Sequence, residues 1–353
     1  MEKLSALFEL LKNKNLKDIK RYLSYRKFSY KPVIIDFDYK ETWIHIVDNS
    51  PDSWILSKFA RELESNLTSF GIKVTMGKKS EDKADINHHI IYSGVRETLN
   101  TKSTVMITHV DTRQKIELIK QQISEGAFGI CMSKEVMEKL VLNGISRNNL
   151  CYINPAQDCL IKPKKYVIGI THRCYKEDFR KRDSMIVDVC KNLNPEYFKL
   201  KIMGAGWEQI IPQIEALGFE VEYFPEFDKK KYNELMVSLD FFYYDGWDEG
   251  NMGYLDALAA GITSLVTPQG YHLDMGKGTI FCKTVDDFSN ALNEFANERQ
   301  RIHASVMDYT WEMYAFKHLQ VWLYIMKKIS LNDLLSTTGY YMDGIHSVLL
   351  PSN

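Results

Sequence analysis

The sequence lacks the features that would place the chain in a membrane or in a disulfide-rich secreted class. No apolar run approaches the ~20 residues that a helix needs to cross a bilayer, and the N-terminus lacks the apolar core of a signal peptide. The six cysteines in 353 residues form no Cys-x-x-Cys pair and no regular framework. We therefore expect reduced thiols in a cytoplasmic protein.

Other absences exclude further classes. The net charge is −1, so nothing indicates nucleic acid as a partner. No Gly-x-Gly-x-x-Gly opens the first helix of either half, which argues against a dinucleotide-dependent dehydrogenase, and no cluster at ligand spacing predicts a metal. With 45% hydrophobic and 26% charged residues, the chain has the composition of a globular protein of two domains.

The most informative stretch is 239–272. The apolar, aromatic run 239–244 predicts a buried strand that ends at the loop Asp245-Gly246-Trp247-Asp248-Glu249-Gly250. A helix with Met252, Leu255, Leu258, Ala259 and Ile262 on one face follows, and a strand over 264–267 comes after it.

This arrangement puts carboxylates at the edge where open α/β sheets bind ligands. Asp248 and Glu249 follow a strand, and Asp256 lies in the first turns of the next helix. The amides of that helix N-terminus favour an anion such as phosphate, while carboxylates bind sugar hydroxyls. Acidic residues here also favour the helix dipole by roughly 0.3–1 kcal/mol each, so capping alone explains the pattern equally well.

The stretch resembles the signature of retaining glycosyltransferases with the GT-B fold, EGFGLPxLEAMACG followed by a strand ending in TPxxG. Anchored on Ala260-Gly261, the second family glutamate falls on Asp256 and the first on Asp248. Glu249-Gly250 matches the family's Glu-Gly if one residue is deleted, so Asp248 and Glu249 both remain candidates. The resemblance implies two Rossmann-like domains with parallel sheets facing a cleft, and amides of Gly250, Asn251, Met252 and Gly253 on the donor.

The first part of the chain contains a basic extension and then alternating strands and helices. Residues 1–31 carry nine basic and three acidic residues, a charge of +6, on two short amphipathic helices. Such helices can lie on an anionic membrane, although docking on the protein body is the favoured interpretation. We assign 1–30 to this extension and 31–158 to a Rossmann-like acceptor domain.

Two loops in the acceptor domain are candidates for chemistry. The turn after the first strand carries Asp52 and Trp54, which we assign to acceptor binding, with helix capping as an equal alternative. His109 and Asp111 follow the strand 104–107. The resemblance implies that His109 hydrogen-bonds the donor sugar, and we assign Asp111 to the acceptor. His88 and His89 fall at the start of a predicted strand, which indicates a structural role.

A proline-containing linker at 154–164 leads into the second domain, which we assign to 159–308. Arg173 follows its first strand, where the family carries an arginine and then a lysine that bind the diphosphate; we assign Lys176 as that lysine. Arginine binds phosphate oxygens with two hydrogen bonds, which suits this role. Gly204 and Gly206 form a Gly-x-Gly turn that borders the nucleotide in the family.

The last segment, 309–353, contains a helix with an apolar stripe over Trp311, Ala315, Leu319, Trp322 and Ile325. By resemblance, this helix crosses back onto the first domain; a membrane-surface helix is the alternative.

Together, the residues and the resemblance predict transfer of a sugar from a nucleotide sugar to a glycan, lipid-linked or other hydroxyl acceptor. The resemblance further implies retention of configuration without metal or cofactor. The alternatives are an epimerase of the same fold, or a catalytically silent relative that only binds nucleotide sugars.

Overall fold

The computed structural model describes residues 39, 41–50, 55–175, 178–330 and 334. The predicted N-terminal helices, Asp52, Trp54 and Lys176 lie outside these residues. The described chain divides into two compact units, residues 1–159 with 307–353 and residues 160–306.

The first unit contains a six-stranded sheet in the order β2-β1-β3-β4-β5-β6, and every pairing is parallel. Its strands are short, and all except the edge strand β2 are almost fully buried, as parallel strands covered on both faces must be. Its elements, in chain order, are β1 (Trp43–Val47), α1 (Ile55–Ser69), β2 (Lys73–Gly77), β3 (Ile86–His89), β4 (Ser103–Ile107), α2 (Arg113–Ser124), β5 (Phe128–Cys131), α3 (Lys134–Leu142) and β6 (Leu150–Tyr152).

The second unit repeats this architecture with the strand order β12-β11-β10-β7-β8-β9, again parallel throughout. The prediction of an α/β chain with two Rossmann-like parallel sheets is therefore confirmed. The elements are β7 (Tyr166–Ile170), α4 (Met185–Lys191), β8 (Phe198–Met203), α5 (Ile211–Ala216), β9 (Val221–Phe224), α6 (Lys229–Val237), β10 (Phe241–Tyr244), α7 (Met252–Ala259), β11 (Thr263–Val266), β12 (Thr279–Phe281) and α8 (Val285–Ala304).

The final helix, α9 (Trp311–Ile325), packs into the first unit, as predicted. Phe59 of α1 makes edge-on ring contacts with Trp311 and Tyr314, at centroid distances of 5.0 and 5.5 Å. The Trp322 indole donates to the Thr104 hydroxyl at 3.1 Å. Because most of its residues are buried, α9 completes the first core. None of the helices in the described residues combines the length and apolar character of a membrane span.

Several predicted elements were wrong in detail. Residues 113–124 form α2, which was not predicted although Ile116, Ile119 and Ile123 give it a buried face. The sequence after Arg173 also predicts a helix that begins near 176–183. Helix α4 begins only at Met185, and Arg182 before it has a left-handed φ of 49°, which a helix does not adopt.

The buried face of α7 was also predicted incorrectly. Gly253, Tyr254 and Ala257 are buried, whereas Met252 is 72% exposed. The buried Tyr254 hydroxyl donates to the Met275 carbonyl at 2.8 Å. A polar anchor at that position rotates the helix away from the aliphatic face that the pattern indicated.

Two fully buried histidines lie where α9 meets the first sheet. His88 lies inside β3, one residue before its end, instead of starting a strand, and its ring centroid lies 5.3 Å from that of His318 on α9. His318 Nδ1 donates to the Tyr314 carbonyl at 2.9 Å. Burial lowers the pKa of both groups, that of His318 to about 4. Both rings are therefore neutral in the folded protein at neutral pH.

We predict that acid weakens the first unit through these histidines and that His318→Phe reduces the effect. A lowered folded pKa means that the unfolded chain binds more protons, so stability is complete above about pH 6.5 and falls below it. Each histidine lowers the free energy of unfolding by on the order of 1.4 kcal/mol for each pH unit in this range. Urea unfolding at about pH 7 and pH 5 should show a smaller loss in the variant than in the wild type.

His303→Gln provides the control, because His303 lies on α8 of the second unit and is only partly buried. Equal acid sensitivity of the wild type and His318→Phe would contradict the prediction.

Candidate functional site

The candidate site is built on the loops that follow β7, β8 and β10 in the second unit. These strands are neighbours or next neighbours in a parallel sheet, so their carboxyl ends lie at one edge. Arg173 follows β7, the Gly-x-Gly turn follows β8, and Asp248 and Glu249 follow β10. The sheet thus brings the predicted donor-binding segments of this unit to the same edge.

Arg173 presents a guanidinium that is free to bind an anion. The residue is exposed, and its guanidinium carbon lies 5.7 Å from the centre of the Tyr175 ring. Among the described residues, no carboxylate pairs with it. A free arginine at a sheet's carboxyl edge has the charge and the geometry to bind a phosphate.

The Gly-x-Gly turn supports the loop that carries Arg173. Gly204 has φ +136°, and a Cβ there would lie 2.3 Å from the His172 carbonyl oxygen; a Cβ on Gly206 would lie 2.5 Å from that of Cys174. The Trp207 indole also donates to the His172 carbonyl at 2.9 Å. The glycines are therefore needed for close approach of two backbones, whatever they contribute to a nucleotide pocket.

Asp248 is held in a buried ion pair. Its side chain is 5% exposed and pairs with the Lys181 ammonium, whose side chain is 20% exposed. The Tyr244 hydroxyl and the Gly250 amide also donate to it, at 2.7 and 3.2 Å. Burial by itself would raise the pKa of Asp248, but these hydrogen bonds outweigh it and hold the pKa below its usual value.

Glu249 differs from its neighbour. It is exposed, and its side chain makes no hydrogen bond or salt bridge in the described part of the chain, although its charge acts on Arg180 and Tyr271. The Asp248 carboxylate is therefore held inside the loop, whereas Glu249 is accessible from solvent.

The N-terminus of α7 is fixed by a polar anchor beneath it. The Asn251 side chain caps the helix by accepting from the Gly253 amide at 2.7 Å. The Asn251 amide donates to Nε2 of the buried His272, whose Nδ1 donates to the Thr267 carbonyl at 2.9 Å. Burial lowers the pKa of His272, in keeping with a neutral ring that accepts at Nε2.

Asp256 is exposed on α7 and accepts a hydrogen bond of 2.6 Å from the Tyr232 hydroxyl. Tyr232 belongs to α6, and its ring lies 5.3 Å from that of Phe227. The second Asp256 oxygen, Oδ1, has no hydrogen bond among the described residues, so the carboxylate is oriented and still able to bind a ligand.

The remaining predicted residues lie in the first unit. His109 follows β4 and is exposed, and its carbonyl accepts from the Tyr92 hydroxyl at 2.9 Å. Asp111 pairs with Lys115 at 2.5 Å and borders a surface depression of about 390 Å³ that also contains Arg113 and Lys139. Nothing in their contacts assigns them to an acceptor.

Sequence reasoning missed Lys181, Tyr232 and His272. Lys181 lies in a run of basic residues, 180–182, which read as a solvated surface. Tyr232 and His272 are 24 and 21 residues from their partners, a separation at which no local spacing signals a contact.

Comparison with known proteins gives only distant similarities. No family model matches the sequence, and no curated protein matches it. Among solved structures, the chain is similar to Anabaena HepE in complex with UDP-glucose, at 12% identity, covering 85% of this chain and all of HepE with a TM-score of 0.32.

Two other similar structures are also glycosyltransferases. One is from Rickettsia africae ESF-5, at 11% identity; the match covers 82% of this chain and 100% of the Rickettsia chain, with a TM-score of 0.32. The other is the catalytic domain of cholesterol-α-glucosyltransferase from Helicobacter pylori, at 16% identity. This match covers 44% of the present chain and 99% of the Helicobacter domain, with a TM-score of 0.32. The fold assignment rests on the two parallel sheets themselves.

We predict that Lys181→Met destabilises the protein by about 3 kcal/mol, because it leaves the Asp248 carboxylate buried without its cation. Lys191→Met is the matched control: its partner Asp188 and its own side chain are more than half exposed, so about 0–1 kcal/mol is expected. Urea unfolding measures both. Adding Asp248→Asn to Lys181→Met should recover part of the loss, and equal costs for the two lysine variants would refute a buried pair.

Gly250→Ala should cost about 1–3 kcal/mol, because φ is +121° and the new Cβ would lie 2.6 Å from the Tyr271 ring. Gly261→Ala is the control: at φ +75° the alanine has the backbone strain of a positive φ, but its Cβ meets no other atom within 4 Å. The difference between the two thermal unfolding curves isolates the contact with Tyr271. If both variants lose the same stability, this contact does not constrain the loop.

Proposed function

We propose that this chain is a glycosyltransferase that moves a sugar from a nucleoside diphosphate sugar to a hydroxyl acceptor. The observation that supports this most is that two groups without an ion-pair partner among the described residues follow neighbouring strands of the second unit: the Arg173 guanidinium after β7, and the Asp256 carboxylate on α7, the helix after β10. A nucleotide sugar carries a diphosphate for the first and ribose hydroxyls for the second. Either group alone would also fit a capped helix or a solvated surface.

In this proposal the second unit binds the donor. Arg173 binds the diphosphate with two hydrogen bonds, and the amides at 250–253 add positive potential at the N-terminus of α7. Asp256 accepts from the ribose hydroxyls, and Glu249 orients the sugar. Lys176, which lies outside the described residues, stays the proposed diphosphate lysine, because the Lys181 ammonium is already paired with Asp248.

The reaction breaks the bond between the anomeric carbon and the β-phosphate oxygen and forms a bond to the acceptor oxygen. The acceptor hydroxyl loses its proton to a phosphate oxygen of the leaving nucleotide. Negative charge grows on that diphosphate, so cations fixed beside it lower the barrier. We propose retention of configuration, by attack on the face that the diphosphate leaves, and no catalytic metal.

The acceptor is proposed to be a glycan or lipid-linked hydroxyl, with Asp52, Trp54 and Asp111 as candidate contacts. Peripheral membrane contact through residues 1–30 remains part of this proposal. A silent nucleotide-sugar-binding protein is the second candidate, favoured by one observation: Asp248, at the first motif position, is engaged by Lys181 and Tyr244 and is not free for catalysis.

Thermal shift with UDP, GDP, ADP, dTDP and CMP tests donor binding. A nucleotide at 100 times its dissociation constant should add about 2.7 kcal/mol to the free energy of unfolding, which raises the melting temperature by a few degrees. Arg173→Ala and Asp256→Asn should each abolish the shift. Arg180→Ala is the matched control, because Arg180 is exposed on a nearby turn and its guanidinium pairs with Asp178 at 2.9 Å.

A nucleotide that stabilises the wild type and Arg180→Ala but not the other two variants supports the donor site. Stabilisation of all four proteins would place the nucleotide elsewhere, and no shift with any nucleotide would contradict the proposal. Release of free nucleotide from the matching nucleotide sugar in the presence of an acceptor then separates the enzyme from the silent binding protein.

A further inference from the structure

Three side chains with metal-ligating atoms meet inside the second unit. His172 follows β7, Asp245 follows the neighbouring strand β10, and Asp183 precedes α4. One ligand atom from each lies within 4.8 Å of the other two. The side chains of His172 and Asp183 are 10% and 4% exposed, and Asp245 is 1% exposed.

The protein satisfies this cluster only in part. His172 Nε2 and Asp183 Oδ1 are 2.8 Å apart, and Asp183 Oδ2 accepts from the Tyr175 amide. Asp245 Oδ2 accepts from the Tyr243 hydroxyl. Within the described ranges, however, neither Asp245 Oδ1 nor His172 Nδ1 has a hydrogen-bond partner. Buried polar atoms without partners are rare and costly, so two such atoms on residues of the same cluster favour a ligand there.

The charges indicate what that ligand must be. Asp183 pairs with the single imidazole, and the Arg182 guanidinium attracts Asp245 but donates no hydrogen bond to its carboxylate among the described contacts. The Arg182 guanidinium donates instead to the backbone carbonyls of Asp245 and Lys283 and to the Thr267 hydroxyl. Buried carboxylates without a cation are unfavourable, and one positive ion between them would relieve both.

We propose that His172, Asp183 and Asp245 bind one divalent first-row transition metal ion, with Zn²⁺ as the probe. One imidazole nitrogen and two carboxylate oxygens suit such an ion better than Mg²⁺, which prefers oxygen alone. Zinc bonds of about 2.1 Å at tetrahedral angles place ligand atoms about 3.4 Å apart. Ligand atoms at the 4.8 Å limit would approach each other, whereas His172 Nε2 and Asp183 Oδ1, 2.8 Å apart, would have to separate slightly.

The ion would be structural and would lie under the candidate donor site. It would tie the loop that leads to Arg173 to the loop that leads to Asp248, which are carried by adjacent strands. Binding of the ion does not depend on the proposed sugar transfer, and the proposed transfer does not pass through the ion. The ligands are separated by 11 and 62 residues, which explains why spacing along the sequence does not reveal them.

The test uses the full chain, stripped of metal with a chelator and titrated with Zn²⁺ by calorimetry, with Mg²⁺ in parallel. One equivalent of Zn²⁺ should bind the wild type. Asp245→Asn and His172→Gln should bind it more than about 100-fold more weakly, since even changes behind a ligand cost about 10- to 100-fold. Asp188→Asn, an exposed carboxylate on α4, should bind as the wild type does.

Zinc-edge X-ray absorption of the loaded wild type provides a measurement that needs no variant. It should show only nitrogen and oxygen neighbours near 2.0–2.1 Å, one of them from imidazole. Sulfur neighbours, unchanged affinity in Asp245→Asn, or no stoichiometric Zn²⁺ uptake by the wild type would each overturn the proposal. If the wild type takes up no stoichiometric Zn²⁺, a higher melting temperature of Asp245→Asn would indicate that a proton, and not a metal ion, neutralises the cluster. Failure of the nucleotide screen would leave all of these results unaffected.

Discussion

Parallel strand pairing is the constraint from which the candidate site follows. When all strands of a sheet run the same way, every strand ends at the same edge, and each must be followed by a connection that returns across a face. In the second unit this rule brings together the loops after β7, β8 and β10, which are far apart in sequence. The candidate site residues and the side chains that support them are therefore concentrated there without any special local motif.

Crowding at that edge forces polar groups into the interior, and the structure satisfies most of them by pairing. Asp248 accepts hydrogen bonds from Lys181, Tyr244 and the Gly250 amide. His272 accepts from the Asn251 amide and donates to the Thr267 carbonyl. Such networks fix loop geometry because any loosening exposes an unpaired buried group. The cluster of His172, Asp183 and Asp245 is the place where the pairing is incomplete.

The sequence predicted the architecture better than the site. Alternating apolar runs and capped helices identify most strands, and the stripe from Trp311 to Trp322 predicts the helix that closes the first core. Burial periodicity carries no information on side chains that meet across the sheet edge, so Lys181 and Tyr232 were missed. It also fails where a polar anchor such as Tyr254 outweighs aliphatic spacing and sets which face of α7 is buried.

The aspartate at position 256 bears on whether the site is functional. Relative to the glutamate of the resembled family, it is shorter by one methylene, which alone would place its oxygens further from a ligand. The Tyr232 hydroxyl holds one of these oxygens at 2.6 Å, and Phe227 packs beside Tyr232. A carboxylate that only capped a helix would gain little from such a partner. An oriented carboxylate with one oxygen left free is instead what recognition of a hydroxyl requires, since fixing it in advance lowers the entropy lost on binding.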